Sequence, residues 1–213
     1  MEEADSKRPS LRSMLSKAGA LFVNSRMLYE IMDSFDQGKG VFFSMEPQEK
    51  INQKLKETRD ELLRILNGLS GDQLNQKKDS DSWSISQVCQ HLYKTEELYV
   101  VAIKRGLKGK EDSIIENKPL EFLLDRSRRL EAPDIAKPTD EIIEYQEIVE
   151  KLHHSREKLT ELLHSLEDPS VLSRRHFTHP VFKEMLLIEW VKSLYLHEQR
   201  HIKQINEIIE GSK

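Results

Sequence analysis

Apolar residues recur at helical spacing in four separate stretches. Ile51, Leu55, Leu62, Ile65, Leu66 and Leu69 form the first, opposite a charged face. Gly68 and Gly71 stand where it should stop. The second opens on Ser84-Ile85-Ser86-Gln87, a capping box, with Trp83 and Val88 placed for a hydrophobic staple. It is predicted to run to Arg105, with Gly106 as terminator. Residues 107–138 lose the pattern and carry Pro119, Pro133 and Pro138, with a short helix expected near Leu120–Leu130. A connection of this length can carry a chain from one end of a bundle to the other. Thr139 is the expected cap of the third stretch. That stretch follows Ile142, Tyr145, Val149, Leu152, Leu159, Leu163 and Leu166 to Glu167, before Asp168-Pro169. A loop with His176, His179 and Pro180 leads to the last helix, expected over Val181–Glu210 with Gly211 closing it. No strand run stands out. The pattern predicts an all-α four-helix bundle over residues 45–213 with one long crossover.

Residues 1–44 differ and are read as an N-terminal extension. Leu11, Met14, Leu15, Ala18 and Phe22 predict a helix within Ser10–Phe35, and Gly38-Lys39-Gly40 marks a break before Met45.

Composition narrows the function classes. The chain has 213 residues, a formal net charge of -4 and one cysteine. That length can bury a core without disulfides, and one cysteine excludes a disulfide framework, so a cytoplasmic setting is expected. No apolar run is long enough to span a membrane. The mild acidity speaks against a nucleic-acid partner, which needs a basic footprint. Charge runs such as Arg126–Arg129 read as solvated surface.

Eight histidines carry the chemistry. On the last helix, Leu187, Val191, Leu194, His197, His201, Ile205 and Ile208 step by three or four. His197 and His201 therefore sit where the bundle needs apolar residues. Residues four apart on a helix lie about 40° apart in direction and one turn apart in height, so both imidazoles can reach one cation. Buried, they need partners, because an unsatisfied polar group costs about 1–3 kcal/mol. A third ligand must come from another core face, and His91, on the stripe of Val88, Thr95, Leu98 and Ala102, is the best placed. His153, His154 and His164 fall beside the third stripe and read as exposed; His176 and His179 could line a pocket mouth. Cys89 points about 200° away from His91 and reads as core filler.

His197 to His201 also spell HExxH, in which the glutamate of a zinc protease is a general base. Glu198 is directed about 80° from the midpoint of the pair. No strand signal offers an edge for a peptide substrate. No catalytic residue is fixed by the pattern; Glu198, Gln87 and Thr95 are the candidates, with Ser193 and Gln204 also near the pair.

Two elements resemble the DinB-like superfamily, which includes the YfiT-type proteins. One is Trp83-Ser84-Ile85-Ser86-Gln87-Val88-Cys89-Gln90-His91-Leu92; the other is Glu189-Trp190 followed by His197-Glu198, Arg200-His201-Ile202 and Gln204-Ile205. The similarity covers about Met45 to Gly211, and residues 1–44 have no counterpart in it. The resemblance implies an up-down-down-up bundle, often homodimeric. It also implies a divalent zinc, nickel or iron-type ion held by His91, His197 and His201. Some relatives are S-transferases that use a low-molecular-weight thiol such as bacillithiol; others are described as metal-dependent hydrolases. Three neutral imidazoles leave open positions on an ion, the mark of a catalytic site. A thiol bound there ionises and can attack a small electrophile. Water in its place gives hydrolysis, and a non-catalytic metal-binding bundle is the third reading.

Overall fold

The computed structural model describes residues 47–110, 115–127 and 131–211. The chain divides into two units, residues 1–44 and 45–213; the helix expected within Ser10–Phe35 lies outside the described residues. The described part holds α1 (Pro47–Leu66), the short α2 (Gly71–Asn75), α3 (Ile85–Gly106), α4 (Tyr145–His164) and α5 (Leu187–Gly211). Two four-residue strands, β1 (His176–His179) and β2 (Lys183–Leu186), precede α5. Among the described residues no helix is long and apolar enough to cross a membrane.

Cross-helix pairs fix the directions. α4 runs antiparallel to α1, because the Tyr145 hydroxyl meets Asn67 Oδ1 while Arg156 meets the Leu55 carbonyl. α3 runs parallel to α4: Gln87 binds Thr139 and Asp140 just ahead of α4, and Lys158 meets Glu97 farther along. α5 runs antiparallel to α3, with His201 beside His91 and Trp190 beside Tyr99. The order is therefore up-down-down-up. Two consecutive parallel helices force the chain to return along the bundle, which is the work of the long crossover.

Local chemistry places the helix ends. Ser84 accepts from the Gln87 amide while Gln87 Oε1 accepts from the Ser84 amide, closing the capping box. α2 repeats the device with Ser70 and Gln73. At the other end of α3, Gly106 lies against the hairpin and the start of α5. A Cβ there would meet Leu187 Cδ2 at 2.4 Å.

Three boundaries depart from the periodicity. α4 starts at Tyr145, not after Thr139, and ends at His164; Thr139 instead bonds Gln90 across to α3. Ile142 is exposed, whereas Ile143 and Ile148 are buried. Near Leu120 the backbone forms a 3₁₀ turn over Leu120–Leu124. The last helix starts at Leu187, because residues 176–186 form an antiparallel hairpin pairing His176 with Leu186 and His179 with Lys183. With four residues a strand, period-two alternation has too few repeats to register. Lys183, with φ 60°, makes the left-handed step that closes it.

The apolar core lies in two clusters along the helices. One end is filled by Leu62, Leu66, Val88, Leu152 and Ile205. The other is filled by Ile103, Leu159, Leu172, Leu187 and Trp190. Each fully buried leucine or isoleucine contributes about 1.5–3 kcal/mol.

Candidate metal centre

α3 and α5 bring His91, His197 and His201 together, as their spacing predicts. One nitrogen from each lies within 4.8 Å of the other two. His91 Nε2 and His201 Nε2 each stand 3.1 Å from His197 Nε2. The outer nitrogens of His91 and His201 are held from behind. His91 Nδ1 donates to the Ala136 carbonyl at 2.9 Å, and His201 Nδ1 donates to Gln204 Oε1 at 2.8 Å. A carbonyl only accepts, so each Nδ1 carries the hydrogen and each Nε2 keeps a bare lone pair. His197 can offer one hydrogen at Nε2, to one neighbour at a time. A cation among the three nitrogens satisfies all of them, so the donor set fits a divalent metal ion.

The surroundings favour neutral rings. Burial lowers the pKa of His91 despite the Ala136 carbonyl. Burial, then His201 and His91, takes His197 well below its ordinary value. Burial and His91 bring His201 down to about 3. The three therefore present lone pairs at neutral pH. His91 and His201 are buried and His197 is half-buried. Trp83 packs on His91 with ring centroids 5.2 Å apart.

The other candidates have different roles. Glu198 is buried and turns to α1 and α4. Its Oε1 accepts from Arg59 Nε at 2.7 Å and its Oε2 from Thr58 Oγ1 at 2.6 Å and Arg156 Nη2 at 3.0 Å. Burial pushes its pKa up, but the two arginines outweigh burial and hold it below the ordinary value. It takes no hydrogen bond from the three imidazoles. Gln87 is occupied by its cap and by Thr139 and Asp140. Thr95 Oγ1 lies 3.5 Å from His91 Nδ1, and Ser193 donates to the Trp190 carbonyl. His153, His154 and His164 are exposed, and His176 pairs with Glu184 on the hairpin. Cys89 is fully buried and its thiol is pushed up to about 12.

Sequence patterning does not find the contact made by the Ala136 carbonyl, because a backbone group carries no residue signature. It also leaves His179 as a loop residue. His179 is buried, with its Nε2 2.9 Å from the Tyr99 hydroxyl and its Nδ1 accepting from the Val181 and Phe182 amides.

Comparison with known proteins gives the lineage. The family model of the DinB superfamily matches residues 54–205. This chain belongs to the DinB superfamily. It is 35% identical over 154 residues to the uncharacterised protein YuaE of Bacillus subtilis strain 168, covering 72% of this chain and 94% of YuaE. Two solved structures share the four-helix bundle fold at 19% identity. YfiT from Bacillus subtilis, described as a probable metal-dependent hydrolase with an unusual four-helix bundle topology, aligns with a TM-score of 0.54 over 81% of this chain and 93% of its own. TT2238, described as a four-helix bundle protein, aligns at 0.50 over 75% and 98%. All three His ligand candidates fall inside the matched DinB region.

Proposed function

We propose that this DinB-superfamily chain is a divalent-metal-dependent enzyme that joins the sulfur of a low-molecular-weight thiol to a small electrophile. The observation that supports this reading is the convergence of three imidazole Nε2 atoms, with no carboxylate bonded to any of the three rings among the described residues. His91, His197 and His201 would hold a zinc, nickel or iron-type ion, which when bound would lower the pKa of a thiol or water. The Ala136 carbonyl and Gln204 orient two of the rings toward that point. His197 is the least buried of the three and marks the side from which cosubstrates would approach. Glu96 and Glu198 are both committed to Arg59 and Arg156. A thiol, with a pKa of about 8.5, needs far less help to ionise than water at about 15.7. Buried Cys89 does not supply the sulfur, which must enter with a cosubstrate.

Hydrolysis is the second reading, favoured by the description of YfiT as a probable metal-dependent hydrolase. Purified protein is expected to carry about one divalent ion per chain, and His197→Ala to lose it. A folded wild type that takes up no zinc, nickel or iron would overturn the metal centre. Loss of bacillithiol in the presence of monochlorobimane, dependent on the ion, supports the transferase. Ester cleavage without thiol consumption supports the hydrolase instead.

A further inference from the structure

The apolar stripes of all four long helices break at one level. Leu55 and Leu62, Leu92 and Tyr99, and Leu152 and Leu159 are each seven residues apart, and Leu194 and Ile202 flank the gap in the fourth helix. Between them stand Thr58-Arg59, Thr95-Glu96, Ser155-Arg156 and His197-Glu198. The fold brings these pairs into one buried layer. Arg59 Nη2 donates to Glu96 Oε2 at 2.9 Å and its Nε to Glu198 Oε1 at 2.7 Å, while its Nη1 reaches the Leu152 carbonyl. Arg156 mirrors it, binding Glu96, Glu198 and the Leu55 carbonyl. Thr58 and Ser155 complete the carboxylates. Arg59, Glu96 and Glu198 are 5%, 2% and 2% exposed.

Stability alone does not account for four charges in the core. Apolar residues of similar volume commonly serve as well or better, because desolvation offsets the attraction. What a closed ionic layer provides is register, since its planar forks satisfy every acceptor in one helix arrangement only. The layer adjoins the metal centre. Glu198 is the residue after His197, and Glu96 follows Thr95, which touches His91. One guanidinium thus spans the two helices that carry the ligands.

We propose that Arg59, seconded by Arg156, is the positioning residue of the metal centre: by bridging Glu96 on α3 and Glu198 on α5 it sets the registry in which His91 faces His197 and His201. This role rests on the reading that the three imidazoles hold a divalent ion. It makes the glutamate of the HExxH string an anchor for its helix.

The test is Arg59→Lys in the full chain, which keeps the charge but cannot span both carboxylates. Its zinc affinity, read by competition with a chromophoric chelator, is expected to fall about tenfold or more. Leu172→Ala, a core truncation away from the layer, serves as a control for lost stability and is expected to keep wild-type affinity. Wild-type affinity in folded Arg59→Lys, within about twofold, would overturn the proposal. So would losses in the two variants that simply track their melting temperatures. Should Arg59→Lys fail to fold, Thr58→Val removes one bond to Glu198; weaker zinc binding supports the layer's role and unchanged binding refutes it. A metal-free readout separates this idea from the metal reading. Nuclear Overhauser contacts between the His91 and His201 rings, whose centroids are 4.9 Å apart, are expected in the apo wild type and lost in Arg59→Lys. A wild type that binds no zinc removes the metal reading, and these contacts then decide the registry role alone.

Discussion

His179 shows what burial does to a single imidazole. Its ring is wedged against Tyr99, Phe182 and Trp190, and desolvation lowers its pKa from 6.5 to about 4. Between those values the unfolded chain takes up a proton that the folded chain refuses. The folded state therefore loses stability as pH falls through that window. For this residue the loss between pH 7 and pH 5 is about 2 kcal/mol. Urea titrations of the chelated protein at the two pH values are expected to show His179→Gln with a smaller drop than wild type. Equal drops would mean that His179 titrates normally in the fold. The candidate ligand histidines were legible at this same scale, because polar residues on an apolar stripe violate the periodicity that defines it. His179 was not, since its four-residue strand is too short to show a period.

At the scale of elements, the close approach at Gly106 ties the end of α3 to the hairpin and to α5. The Cβ of an alanine would sit 2.4 Å from Leu187 Cδ2, 3.1 Å from the His176 carbonyl and 3.2 Å from Phe177 Cβ. Two of those neighbours are backbone or Cβ atoms with little freedom to give. Gly106→Ala is expected to destabilise the fold by about 1–3 kcal/mol, the usual result of overpacking. Chemical denaturation checks it, and a neutral or stabilising change would show that the hairpin moves aside readily. Helix starts with side-chain caps, such as Ser84, could be placed from sequence because the signal is local. The start of α4 could not. Thr139 has the residue type of a cap, yet its amide and hydroxyl go to Gln90, and Glu144 stands at the helix start without a side-chain bond.

For the whole molecule, the ion and the fold should stabilise each other. Three donors from two helices exist as a set only in the folded chain, so metal binding shifts the folding equilibrium. Zinc at about 100 times its dissociation constant adds about 2.7 kcal/mol. For a domain of this size that corresponds to about 5–10 °C in melting temperature. Scans with zinc and with a chelator are expected to differ by that amount in wild type and to coincide in His91→Ala. A difference that persists in His91→Ala would place the stabilising ion elsewhere. The same dependence runs through the buried layer of Arg59, Glu96, Arg156 and Glu198, where no pair is complete without the other two helices.

Sequence alone determined what is local: four amphipathic stripes, the cap at Ser84, and the placement of His197 and His201 one turn apart on a core face. These follow from a 3.6-residue period and from hydrogen bonds that span three or four residues. Tertiary structure decided which interruptions meet. Thr58-Arg59, Thr95-Glu96 and Ser155-Arg156 each look like an ordinary polar gap in one helix. Only the up-down-down-up order brings them to a single level, where charges that would be prohibitive singly are neutralised together. The crossover likewise places the Ala136 carbonyl behind His91 by a return of the chain that no local period encodes. Side-chain periodicity specifies a helix's buried face; the partner of that face depends on contacts between residues far apart in the chain.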